Sequence, residues 1–279
     1  MNLPSTRQLM FAFAIAAVPA GVLAAPAAEL WSFWERSDET SDEQVDHGAW
    51  QTLLDAYLVA TGDNRTLFRY KAVSSGDRAA LDAYVAGLTD VDPRSLARAE
   101  QLPYWINLYN ALTVQVVLNH PDETSILDMG GGFFRPGPWN DDVARIAGQD
   151  VTLNDIEHRI LRPIWNDQRI HFAVNCASIG CPNLAPRAYT RSNTPELLDA
   201  GQHDYLHHPR GLSLDDSGRL TLSSIFDWYV ADFGGNTAAL LGYLASQRPD
   251  LVDDLTNYAG RIRYEYDWSL NQAPAEGKD

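Results

Sequence analysis

The stretch Tyr104-Trp105-Ile106-Asn107-Leu108-Tyr109-Asn110-Ala111-Leu112-Thr113-Val114-Gln115-Val116-Val117 constrains the fold more than any other part of this chain. Its apolar residues run nearly all round a helix and leave no long solvated face, so other elements must surround it. Asn107 and Asn110 lie three apart on one side of that helix, with Tyr104 and Val114. Buried amides need partners. These two either bind a carbonyl substrate, as an oxyanion hole does, or tie a loop backbone to the core.

Weaker signals flank this helix. Trp50, Leu53, Leu54 and Tyr57 recur at helical spacing, as do Leu81, Tyr84, Val85 and Leu88. Residues 67–73 and 143–151 read as short strands. Thr152-Leu153-Asn154-Asp155 fits a capping box opening a helix through Ile156 and Ile160, whose length Pro163 limits. Residues 169–175 alternate as a strand, with Ile170, Phe172 and Val174 on one face and Arg169, His171, Ala173 and Asn175 on the other. Asp215-Asp216-Ser217-Gly218 sits between Leu212-Ser213-Leu214 and Leu220-Thr221-Leu222 and signals a hairpin. There is no internal repeat. The expected fold class is α+β: a single mixed domain, a buried central helix packed on a small sheet, preceded by a signal peptide.

Arg7, the apolar residues 9–18 and the small residues after them read as a secretory signal peptide over residues 1–28. Val22-Leu23-Ala24 and Ala25-Pro26-Ala27 offer small-x-small cleavage sites. The apolar run is too short to span a bilayer. The expectation is an exported chain, periplasmic or extracellular, with no stable membrane insertion after signal removal. Residues 29–45 read as an acidic linker, 46–271 as one globular domain and 272–279 as a disordered tail. Lys and Arg number 21 against 37 Asp and Glu, a formal charge of −16, which disfavours nucleic acid as a partner. A small-molecule or peptide ligand suits the chain better. The Gly-rich loop at 129–138 lacks the strand–GxGxxG–helix setting of a dinucleotide site, and no P-loop appears, so no cofactor is expected.

Chemistry concentrates in one run. Arg169-Ile170-His171-Phe172-Ala173-Val174-Asn175-Cys176-Ala177-Ser178-Ile179-Gly180-Cys181-Pro182 holds the only two cysteines and places an imidazole five residues before the first. A thiol near an imidazole is the raw material of a nucleophile. In an exported chain the same pair suggests a Cys176–Cys181 disulfide. The loop it would close is short, so its stabilisation falls at the low end of roughly 2–4 kcal/mol. The H-x4-C-x4-C spacing lacks a CxxC clip and a fourth ligand, so no metal site is expected.

Three internal segments together resemble one family: residues 105–112, Leu153-Asn154-Asp155-Ile156-Glu157-His158, and residues 169–182. The terminal Tyr266-Asp267-Trp268-Ser269-Leu270-Asn271 adds to the match. The chain resembles an exported, bacterial-type member of the domain of unknown function family 547, over roughly residues 45–271. The resemblance implies no established activity. The residues themselves leave two main readings open. One is a thiol-dependent hydrolase or acyl transferase, with Cys176 as nucleophile, His171 as base and Glu157 as orienter. Asn107, Asn110, Arg169 and Asn175 are its candidate substrate-binding residues. The other is a non-enzymatic binding or scaffold domain stapled by a disulfide. A thiol–disulfide redox protein stands between them.

Overall fold

The computed structural model describes residues 26–130 and 136–274. The expected signal peptide up to residue 25, the centre of the Gly-rich loop at 131–135 and residues 275–279 of the expected tail lie outside the described residues. The first half of the domain is built on α1 (Gly48–Tyr57), α2 (Ser75–Asp90) and α3 (Arg98–Asn119). Ser74 caps α2 by accepting the Asp77 N–H at 3.1 Å. Helix α3 starts ahead of Pro103 and carries it inside. Every residue of α3 from Tyr104 to Val114 is buried, as a helix with no solvated face requires. It packs chiefly on α2 and on the helix through Glu157.

Strands are short. β1 (Leu58–Ala60) pairs antiparallel with β2 (Thr66–Phe68), and β3 (Ala144–Ile146) with β4 (Gln149–Val151). The hairpin of β5 (Leu212–Leu214) and β6 (Leu220–Ser223) is joined in parallel by β7 (Arg263–Glu265). Helices α4 (Arg162–Trp165), α5 (Thr194–Leu206), α6 (Ile225–Trp228), α7 (Thr237–Gln247) and α8 (Val252–Thr256) complete the mixed α+β domain. Its core has two lobes, one around α3 and one around the hairpin and α7. No helix of the described residues is long and apolar enough to cross a membrane.

Four expectations need correction. Residues 169–175 are not a strand: Gln168–Phe172 is a 3-10 helix, opened by the Asp167 carboxylate accepting the Arg169 N–H at 2.9 Å. The residues from Ile170 to Asn175 are all buried, so both faces of the apparent alternation point inward. The segment joins the lobes, with Ile170 in one and Phe172 in the other.

Residues 29–45 are not a free linker. Ser32–Trp34 forms a 3-10 turn, and Trp34 is buried edge-on against Trp105, with ring centroids 5.2 Å apart. Pro163, which has no N–H, leaves one preceding carbonyl without a helical partner. The Glu29 N–H donates to the His158 carbonyl at 3.0 Å, and the Trp31 N–H to that of Arg159 at 2.9 Å. The tail is also docked further than expected. Ala273 is buried, and its N–H donates to the Phe68 carbonyl.

Finally, Cys176 and Cys181 are free thiols and form no disulfide.

Candidate functional site

Asn107 and Asn110 set the stage without entering it. Asn107 accepts the Tyr189 N–H at 3.0 Å and donates to the Tyr189 carbonyl at 2.8 Å. Asn110 does the same across a turn, accepting from the Asn175 N–H and donating to the Ala173 carbonyl. Both amides are thereby satisfied by backbone. Asn175 continues the brace, donating to the Pro182 carbonyl at 2.7 Å and accepting from the Ala177 N–H at 2.8 Å. Arg169 forms ion pairs with Asp167 and Asp199. None of these four candidate substrate-binding residues lines the cleft that Cys176 borders.

The braced turn carries Cys176 to the wall of a cleft of about 250 Å³, which Glu157, His171 and Cys181 also line. Ala177, next to the thiol, takes a left-handed φ of 60°. A side chain bearing Cβ rarely adopts that conformation, and such positions concentrate at functional sites. The C-terminal segment locks the loop from outside. The Ile179 and Gly180 N–H groups donate to the Ser269 and Asp267 carbonyls, each at 2.8 Å, and the Asn271 N–H donates to that of Ala177. Gly180 is needed for this approach, because a Cβ there would lie 2.8 Å from the Asp267 nitrogen.

Around the sulfur stands a cluster of weak acids. Cys176 Sγ is 2.8 Å from Cys181 Sγ, 3.1 Å from the Ser178 hydroxyl and 3.1 Å from the Tyr266 hydroxyl. Burial works against a thiolate at Cys176, but hydrogen bonds from Cys181, Ser178 and Tyr266 outweigh it and lower the pKa. Burial and the adjacent sulfur push Cys181 well above the ordinary thiol range. The pair is asymmetric in access too: Cys176 is partly exposed and Cys181 is buried.

Glu157 and His158, which also line the cleft, sit in a π-helix, Asp155–Leu161. The expected capping box opens it: the Asp155 N–H donates to Thr152 Oγ1, and the Thr152 N–H donates to the Asp155 carboxylate, both at 3.0 Å. Single π-turns inside helices recur at functional sites. His171 fits between two carboxylates, with Nε2 2.7 Å from Asp232 and Nδ1 3.7 Å from Glu157. Its ring stacks on Tyr229 at 4.3 Å. Burial disfavours its charged form, but Asp232 and Glu157 overcome that and raise its pKa. Burial likewise opposes the Glu157 charge, yet the surrounding imidazoles and the Arg162 guanidinium hold its pKa down at about 2.

Arg162 forks onto Asp232, with its Nε at 2.6 Å and a terminal nitrogen at 3.1 Å. It also donates to His158 Nδ1 at 3.0 Å. Since arginine only donates, His158 is unprotonated at Nδ1 and carries its proton on Nε2. Burial and the adjacent cations lower its pKa to about 4, so it is neutral near pH 7. It lines the cleft, and among the described residues its Nε2 has no hydrogen-bond partner.

The three proposed catalytic residues therefore share one cleft, but the His171 nitrogens face carboxylates and the sulfur draws on hydroxyls and a second thiol. Sequence reasoning missed Asp232, Tyr229 and the role of Tyr266. Tyr266 stands in the terminal motif already quoted. Asp232 sits in an aromatic, apolar stretch, Trp228-Tyr229-Val230-Ala231-Asp232-Phe233, with no local signal, 61 residues from its imidazole. Among the described residues no group of three His, Cys, Asp or Glu side chains is arranged to hold a metal ion.

Fold and site together define a mixed α+β domain with a thiol-bearing cleft. Residues 93–206 match the family model described as Protein of unknown function, DUF547. The match covers Glu157, His171 and both cysteines and stops before Tyr229, Asp232 and Tyr266. No curated protein and no solved structure matches the chain.

Proposed function

We propose that this is an exported thiol enzyme that transfers acyl groups, as an amide or ester hydrolase or an acyl transferase, with Cys176 as its nucleophile. One observation carries the reading: a partly exposed sulfur in a cleft, held by Tyr266, Ser178 and Cys181 in a way that favours its thiolate. The hydrogen bonds that lower the Cys176 pKa ease formation of the attacking thiolate. The thiolate adds to the acyl carbon and forms a C–S bond. Collapse of the adduct breaks the bond to the alcohol or amine, which leaves with a proton from solvent. Water or an acceptor then cleaves the thioester and restores the thiolate. In this scheme His171 is a positioning residue: held between Glu157 and Asp232, it fixes part of the cleft that Cys176 also lines. The Nε2–H of His158 is a donor available to a developing oxyanion. The export part rests on Arg7, the short apolar run and the cleavage sites.

The test is mass spectrometry of the purified protein after incubation with activated esters. A thioester on Cys176, absent in Cys176→Ser, supports the reading; acylation only elsewhere in the chain overturns it. A second reading, thiol–disulfide exchange, is favoured by the 2.8 Å approach of the two sulfurs. Cys181→Ser separates the two. Acyl transfer predicts that the variant still forms the Cys176 thioester, whereas disulfide exchange predicts that it is as inactive as Cys176→Ser.

A further inference from the structure

We infer that the cleft accepts an uncharged acyl group bearing an aromatic ring, an inference that rests on the acyl-transfer reading of Cys176. The aromatic wall begins at the nucleophile itself. Tyr266, whose hydroxyl holds Cys176 Sγ, has its ring 4.8 Å from Trp228 and 4.5 Å from Trp268. Trp228 and Trp268 stack at 5.4 Å with 28° between their planes, and Trp139 meets Trp268 edge-on at 5.7 Å. All four rings line the cleft and stay partly exposed, whereas Phe226, beside Trp228 in α6 but in the core, is fully buried. Rings left partly open beside a reactive sulfur offer a flat ligand offset-stacked and edge contacts.

Charge narrows the ligand further. Among the described residues the charged groups at the cleft are mutually satisfied. Glu157 has His171 and the Tyr109 hydroxyl, and Asp232, behind the wall, has both His171 and Arg162. His158 is neutral. An anionic acyl group would be desolvated beside Glu157 with no uncommitted cation among the described residues to meet it. A cationic one would find both carboxylates taken. The volume, about 250 Å³, lies just below the range of roughly 300–1,000 Å³ common for small-molecule sites, so the cleft suits one ring-bearing group and not a polymer segment.

Haloacetyl probes test this without knowledge of the natural substrate. The full chain is treated separately with iodoacetamide, N-benzyl iodoacetamide, iodoacetate and a trimethylammonioethyl iodoacetamide. The Cys176 adduct is followed by mass spectrometry, with each rate divided by that of the same probe on N-acetylcysteine. The benzyl probe is expected to gain about tenfold over iodoacetamide, the scale of one good aromatic contact. Both charged probes should fall below iodoacetamide. Trp228→Leu should bring the benzyl-to-iodoacetamide ratio back toward one. Equal normalised rates for all four probes on a reactive Cys176, or a charged probe reacting fastest, would overturn the inference and leave the nucleophile intact. A Cys176 no more reactive than Cys181 toward iodoacetamide would instead sink the thiol reading itself. The ratios in the wild-type chain decide the matter even if the variant does not fold.

Discussion

Cys176 is the residue on which the chemistry turns, and its acidity is set by its own loop, through Cys181 and Ser178, and by one residue distant in sequence. Tyr266 comes from the end of the chain and Cys181 from across a tight loop. Removing the Tyr266 hydroxyl takes away one donor to the thiolate, so Tyr266→Phe should raise the pH at which Cys176 is half-alkylated by iodoacetamide. Rates measured from pH 5 to 10 by mass spectrometry check this, and an unchanged midpoint would remove Tyr266 from the account. Asn107 belongs to the same scale but to stability. Asn107→Leu leaves the buried Tyr189 N–H and carbonyl without their side-chain partner and should cost about 1–3 kcal/mol. An unaltered urea midpoint would show that the amide bracket contributes nothing.

Elements explain why the sequence was legible in some places and not in others. Helix α3 was readable because a segment with no polar face has only one solution, burial. The capping box at Thr152 and the hairpin around Gly218 were readable because their signals are local. The 3-10 turn at Gln168–Phe172 was not, because a fully buried run carries no periodicity to separate helix from strand. The convergence of Glu157, His171 and Cys176 on one cleft followed from the chemistry of their side chains, whereas Asp232 needed the fold. The docking of the N-terminal segment was concealed by its composition. Its acidic residues suggest a linker, yet the carbonyls of His158 and Arg159, one of which Pro163 cannot serve, accept from the N–H groups of Glu29 and Trp31. Trp34 then anchors the segment on Trp105. Trp34→Ala should therefore cost about 3–5 kcal/mol, as for other buried aromatics, and not the near-zero effect of a linker substitution. Thermal or urea unfolding distinguishes the two.

At the scale of the whole molecule, the network joining the lobes makes stability depend on pH in two opposite senses. The His171 pKa is raised above its ordinary value near 6.5. The folded state therefore holds a proton that the unfolded chain releases first. The resulting stabilisation is full below about pH 6.5 and is lost as pH rises through the folded value. Glu157 works the other way. Its pKa falls from near 4.5 to about 2, so its contribution is present above about pH 4.5 and is lost as pH falls toward 2. Asp232, also lowered, acts in the same sense. His158, lowered to about 4, adds a contribution that is present above about pH 6.5 and is lost as pH falls toward 4, so the network as a whole favours the folded chain most near pH 6.5. His171→Gln leaves two carboxylates without their shared cation and should cost about 3–5 kcal/mol at pH 6, the scale of a broken buried ion pair. The gap between wild type and His171→Gln in urea unfolding should narrow as pH rises from 6.5 to 9, because the wild type loses what the variant never had. The gap for Glu157→Gln should instead close on the acid side, as pH falls from 4.5 toward 2. A His171→Gln gap that stays constant across the alkaline range would mean that His171 is not charged between its two carboxylates, and the cleft wall would then have to be held by Arg162 and Asp232 alone.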